Sequence, residues 1–132
     1  MTSEPVFDTG LGAYAVDTHL LAGMVDALNT CAQACATCAD LCVIEGRHGR
    51  ETCIRRCLAT FEVCRATAAV VARQGSVPVA VERHIVEACL AFCETCEEEC
   101  TRHDRDHCIA CADACRRCIT ACRSWLTSVD EA

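Results

Sequence analysis

Aromatic residues are scarce in this 132-residue chain: one Trp, one Tyr and three Phe. Basic side chains are outnumbered by acidic ones, 12 against 19, for a net charge of −7. That balance argues against a nucleic-acid or anionic-membrane partner. No apolar run approaches 18 residues, which argues against a membrane-spanning helix. The opening Met1-Thr-Ser-Glu-Pro-Val-Phe-Asp has neither a basic stretch nor an apolar stretch behind it, so no export signal is expected. What is abundant is cysteine, 16 residues. The apolar content of 52% therefore overstates the ordinary core: without cysteine it falls to roughly 40%, under the usual 45–50%. Cysteine fills places where Leu, Ile and Phe would sit. In a secreted chain such a set would indicate disulfides. Without an export signal the expected compartment is the cytoplasm, where thiols stay reduced, and metal becomes the leading thought. At 14.2 kDa the chain has the size of one domain.

Two prolines and six glycines leave few breaks, bunched at Gly10–Gly12, Gly46–Gly49 and Gly75–Pro78. Between them lie segments rich in Ala, Leu, Glu and Arg with no strand-like alternation, which read as helices. Four are expected, at about 17–45, 50–74, 78–102 and 105–128. Asp17 would cap the first and Gly75 end the second. Pro78 would sit in the first turn of the third, and Asp104 or Asp106 would cap the fourth. Residues 1–16 form an N-terminal extension, with a helical turn expected around Leu11–Val16. Short connections make neighbouring helices antiparallel, so the expected fold is an all-α, up-down-up-down four-helix bundle over 17–128.

The cysteines fall at 31, 35, 38 and 42; at 53, 57 and 64; at 89, 93, 96 and 100; and at 108, 111, 115, 118 and 122. Steps of four and three mark the inward seam of a bundle helix. The seams run on into Leu28, Met24 and Leu21, into Thr67 and Val71, into Val86, and into Trp125 and Val129. A shift of 58 positions carries 31, 35, 38, 42, 53, 57, 60 and 64 onto 89, 93, 96, 100, 111, 115, 118 and 122, except that Thr60 stands where Cys118 has its thiol, and Cys108 is extra. The chain thus reads as two copies of one cysteine-lined helical hairpin.

Five uses of such stripes compete. Disulfides within a helix suffer from poorly aimed Cβ vectors. An inert core would be better built from Leu than from thiols. An iron–sulfur cluster lacks its loop spacing. Zinc prefers closed tetrahedral sites on tight knuckles, and here needs four helices to converge at each layer. Cu(I) is soft, favours thiolate and accepts low coordination numbers, so sulfurs at i and i+3 or i+4 suit it best. The open alternatives are a zinc or general soft-metal buffer, or a structural or redox bundle holding disulfides or an iron–sulfur centre. No catalytic constellation is visible. Adjacent residues such as His107 and Cys108 diverge by about 100° on a helix, and there is no phosphate loop or carboxylate pair on the seams, so no enzyme is expected.

A bundle with C-x₃-C-x₂-C-x₃-C seams, at this length and with no signal, resembles the bacterial copper storage proteins, their cytosolic branch above all. The resemblance covers about residues 17–128. It implies a homotetramer of bundles, each chain holding multiple Cu(I) ions on Cys31, Cys35, Cys38, Cys42, Cys53, Cys57, Cys64, Cys89, Cys93, Cys96, Cys100, Cys108, Cys111, Cys115, Cys118 and Cys122.

The antiparallel order sends all these cysteines to the end that carries the 45–49 and 102–107 turns. Leu21, Met24, Leu28, Val70, Val71, Val86, Trp125 and Leu126 would plug the other end. Metal is then expected to come in at the turns. His103 and His107 are candidate ligands there, set against a plain role as solvated turn residues. Asp104 shares their face, and His48 reads as solvated. His19 and His84 belong to the surface, and Met24 to the packed stripe. Glu97-Glu98-Glu99 reads as a solvated helix face. Arg116 and Arg117 point away from the seam.

Overall fold

The computed structural model describes residues 16–131. Among the described residues there are four helices: α1, Thr18–Glu45; α2, Glu51–Val71; α3, Val79–Cys100; and α4, Asp106–Glu131. Each lies beside two others, α1 beside α2 and α4, and α3 beside α2 and α4, and the diagonal pairs meet through side chains, Cys35 with Cys96 and Cys57 with Cys111. The sulfur contacts give the sense of each pair. Cys31, Cys35 and Cys38 of α1 meet Cys115, Cys111 and Cys108 of α4 in that order. Cys57 and Cys64 of α2 meet Cys100 and Cys89 of α3. Ascending numbers meet descending ones, so the helices are antiparallel, and the bundle is up-down-up-down as expected.

The helix ends follow local chemistry. The Asp17 side chain accepts from the His19 amide at 3.0 Å, satisfying one of the free N–H groups of a helix start. Gly46 closes α1 in the left-handed region, φ 61°, its N–H donating to Cys42 O. Elsewhere the ends differ from expectation. α2 stops at Val71 and continues as tight turns, Arg73 N–H to Val70 O and Ser76 N–H to Arg73 O, with Gly75 at φ 84° turning the chain. Pro78 stands just before α3, where its carbonyl accepts from Val81 and Glu82. Neither Asp104 nor Asp106 holds the position before α4. Arg105 does, its carbonyl accepting from Cys108 and Ile109, and Asp106 lies inside the first turn, where its charge suits the helix dipole.

At the plug end Met24, Leu28, Val71, Val86 and Trp125 are buried, and Leu21 and Leu126 are half-buried against them. Each full burial of this kind contributes roughly 1.5–3 kcal/mol. Val16 is buried too, its N–H donating to Gln74 Oε1. The rest of the turn expected around Leu11–Val16 lies outside the described residues. Glu82, unforeseen in this apolar layer, is also fully buried.

α1 corrects the expectation that no segment is apolar enough to cross a membrane: its best 18-residue window has a mean hydropathy of 1.3. Cysteine and alanine supply much of that value, and the cysteines of α1, with Met24 and Leu28, are buried in the bundle.

Candidate metal centre

All sixteen cysteines are free and buried. The helix seams deliver them to one axis, where sulfurs from different helices come within van der Waals reach: Cys64–Cys93 at 3.6 Å, Cys35–Cys111 at 3.7 Å, Cys57–Cys96 at 3.8 Å and Cys31–Cys115 at 3.8 Å. Sets of four form a stack. Nearest the turns are Cys38, Cys42 and Cys108 with His107. Then come Cys38, Cys53, Cys57 and Cys100; Cys57, Cys96, Cys100 and Cys111; and Cys35, Cys96, Cys111 and Cys115. Toward the plug lie Cys31, Cys64, Cys93 and Cys118, one from each helix. The ligand atoms of every set lie within 4.8 Å of one another. Neighbouring sets share members or touch, so an ion in one layer is a short step from the next.

Convergence of four helices at one layer was the requirement that seemed to disfavour zinc. The structure meets it, so shape alone does not separate the two metals.

The thiols act on each other. Cys53, receiving a hydrogen bond from Cys100, is held down to about 7, while burial pushes Cys42 up to about 12. Cys108 is pushed up by burial as well. A dry core cannot carry sixteen thiolates, so most of the sulfurs are neutral until a metal arrives.

Thr60 takes the place of a thiol in the middle of α2. It is fully buried, and its hydroxyl donates to Phe92 O at 3.3 Å. On this side the ladder has a gap, and the outer and inner sets are joined through Cys31 and Cys115.

The two candidate histidines are not solvated turn residues. The side chain of His107 is 10% exposed, with Nδ1 3.4 Å from Cys38 Sγ and 3.6 Å from Cys108 Sγ. Its Nε2 lies 3.1 Å from Glu45 Oε2, an oxygen that also accepts from Arg105 Nε. Partial burial pushes the Glu45 carboxyl up, but His107 and Arg105 together hold it below its usual range. Burial pulls the His107 ring down, but Cys38 and Glu45 outweigh that and leave it raised. His103 lies elsewhere: its Nε2 is 2.9 Å from Glu99 Oε2, with its side chain 15% exposed. Asp104, His48, His19 and His84 are exposed.

Glu99 corrects the reading of Glu97–Glu99 as a solvated face. Glu98 is exposed, but Glu99 is buried beneath His103, Arg102 and Arg56. Glu45 and Glu99 were the residues sequence reasoning missed. Each lies four positions from a seam cysteine or histidine (Glu99 from His103) or beside the end of a seam (Glu45 after Cys42), the one signal that would have found them.

Residues 17–127 match the family described as copper storage protein. The chain belongs to that family. A metal store of this kind is not an enzyme. Among solved structures, a cytosolic copper storage protein from Streptomyces lividans described with five coppers is 37% identical, with a TM-score of 0.78 over 83% of this chain and 93% of that one. The same organism's protein loaded with 10 copper equivalents gives a TM-score of 0.81 at 33% identity, over 97% and 99%. The uncharacterized cysteine-rich protein YhjQ of Bacillus subtilis (strain 168) is 39% identical over 91 residues, 68% of this chain and 81% of its own length. Several copper ions per chain are thus a property of its structural relatives, and the buried thiols supply the matching donor set here.

Proposed function

We propose that this protein stores Cu(I) in the cytoplasm, each chain holding many ions on the sixteen cysteines, with His103 and His107 handling ions at the turn end. The observation that carries this reading is the stack of four-donor sets inside the bundle. Charge supports copper over zinc. A zinc ion on four thiolates leaves two negative charges in a core whose helical N–H groups are already used, and burying uncompensated charge is costly. One Cu(I) per thiolate leaves none. Soft thiolate also favours Cu(I) by donor type.

In this reading the two hairpins, 58 positions apart, are copies of one cysteine-lined unit, and residues 1–16 are an extension to a bundle of 17–128. The chain assembles as a homotetramer. Val43, Ile44, Leu58 and Phe92, all exposed, offer apolar surface for such contacts.

Anaerobic titration with Cu(I) against a chromophoric chelator tests the function. Storage requires many tightly held equivalents per chain. One or two equivalents, or a thiol count that cycles with oxidant, would instead point to a redox bundle. A parallel titration that took up Zn(II) in preference would overturn the choice of metal.

A further inference from the structure

Most arginines of this protein rest on carboxylates, as Arg105 does on Glu45, Arg116 on Glu97 and Arg123 on Glu94. Arg50 does not. It is only 6% exposed, its Nη1 is buried without a hydrogen-bond partner, and no carboxylate pairs with it among the described residues. The acidic residues nearest along the chain are taken or turned out: Glu45 pairs with Arg105 and His107, and Glu51 is exposed. An unmatched cation is costly to bury, so where this one lies is informative. Arg50 precedes α2 with helical dihedrals, φ −98° and ψ −7°, and steps of three and four lead from it to Cys53 and Cys57. It therefore extends the inward seam of α2 past the last thiol of that helix. The helix itself adds charge of the same sign. Arg50 offers the start of α2 no side-chain cap, so the free N–H groups there leave the positive end of the dipole beside Cys53, in the first turn. The sulfurs at this end form two sets that share Cys38, one with Cys42 and Cys108, the other with Cys53, Cys57 and Cys100.

We propose that Arg50 is the counter-charge for an anionic Cu(I)–thiolate unit, richer in sulfur than in copper, held on Cys38, Cys42 and Cys53 at the turn end of the stack.

The reason lies in how a row of bridged ions ends. Inside the stack a thiolate can bridge two Cu(I) ions, so one ion per thiolate keeps the core neutral. The last thiolate of a row has an ion on one side only, and the row then carries one sulfur more than copper. In the simplest case three thiols and two Cu(I) ions form S–Cu–S–Cu–S. Three protons leave for solvent, since only the thiolate is the strong ligand, and a single negative charge stays behind. A guanidinium cannot be deprotonated in a protein, so Arg50 keeps its cation in the dry core, where a lysine or histidine would discharge. The unmatched cation of the metal-free protein thus becomes half of a matched pair when copper is held.

The inference rests on the storage reading, and its test separates the two. Cu(I) is titrated anaerobically into the full metal-free chain against a chromophoric chelator, and the thermal midpoint of the metal-free protein is read by circular dichroism. Arg50→Met removes the charge and keeps the aliphatic stem, whereas Arg50→Lys keeps a charge. Arg50→Met is expected to hold the ions of this unit at least about tenfold more weakly than the parent, because one half of a buried charge pair is gone. Arg50→Lys is expected to restore most of that loss. In a chain carrying Cys38→Ser, Cys42→Ser and Cys53→Ser the Arg50→Met change should alter the copper held no further. The metal-free Arg50→Met protein should melt above the parent, since an unmatched cation has left the interior. A purely structural arginine gives the opposite pattern, a lower midpoint with copper affinity unchanged. Equal copper affinity in Arg50→Met and the parent, a loss that Arg50→Lys does not restore, an equal loss in the serine background, or a lower metal-free midpoint would each overturn the assignment while storage stands. If the parent takes up only one or two equivalents, the storage reading itself fails, whatever Arg50 does.

Discussion

The sulfurs of Cys64 and Cys93 lie 3.6 Å apart across the α2–α3 interface, far beyond a disulfide bond of about 2.05 Å and close enough for one metal ion to join. The pair belongs to the inner set, with Cys31 and Cys118. Replacing both with Ser is expected to lower the copper held at saturation and leave the first equivalents unaffected. Circular dichroism should show an intact helical fold, at a modest stability cost on the order of 1–3 kcal/mol for each polar group left without a good partner. Undiminished capacity, measured by metal analysis after gel filtration, would show that the inner set is not used.

Thr60→Cys would close the gap in the ladder. The hydroxyl bond to Phe92 O is lost, at a cost of about 1 kcal/mol, and a thiol of similar size takes its place between Cys57 and Cys64. Capacity should rise, and transfer between outer and inner sets should no longer depend on Cys31 and Cys115. A Cys115→Ser variant that fills its inner sites slowly, and recovers when Thr60→Cys is added, would confirm the bypass.

The protein should fold without metal. Its thiols are buried among each other, and the Met24, Leu28, Val71, Val86 and Trp125 layer closes the bundle with no need of an ion, unlike a zinc finger, whose folding is its metal binding. Because the core starts largely protonated, each Cu(I) that binds a thiol should release about one proton. Loading in weak buffer is expected to acidify the solution in proportion to metal bound. A random-coil spectrum of the reduced, metal-free chain would overturn the first expectation, and loading without acid the second.

The histidines are expected to act on rate. Removing both His103 and His107 should slow Cu(I) uptake and change capacity little, since thiolate is the stronger donor. The His107 ring is raised above its ordinary 6.5, and a protonated Nδ1 cannot bind an ion. Uptake through it should therefore slow as pH falls through that raised value. The stabilising contribution of the ring has the opposite sense: it is complete below about 6.5 and is lost as pH rises through the folded value. Stopped-flow rates from pH 8 to 5.5 that are the same with and without His107 would exclude the role.

Glu82 gives a second pH signature, at the plug. Burial pushes its carboxyl up to about 7, against 4.5 in the unfolded chain. Below 4.5 both states are protonated. As pH rises from there to about 7 only the unfolded state ionises, so stability falls, and above that it is level. Glu82→Gln should remove this dependence, with a difference between pH 5 and pH 8 on the order of 2–3 kcal/mol, read as a change in the urea midpoint. Parallel curves for parent and variant would show that burial does not perturb this group.

The four helices and the inward stripe of thiols could be read from residue spacing, because a step of three or four keeps side chains on one face whatever surrounds the helix. Helix ends were less legible. Arg105 starts α4 through its backbone carbonyl, with no capping side chain to announce it, and α2 unwinds into tight turns after Val71.

The sequence by itself determined that cysteine would form the core, for the 4-3-4 steps allow no other face to be buried. Only the tertiary structure decided which sulfurs meet. Cys31 with Cys64, Cys93 and Cys118 is a matter of axial register and rotation between helices, and no local period encodes these. For the same reason Glu99 went from an apparent surface run to a buried partner of His103. Two histidines four positions apart, neighbours by spacing, came to face different walls: His103 lies at the end of α3 before the chain turns, and His107 is already inside α4 with its ring against α1.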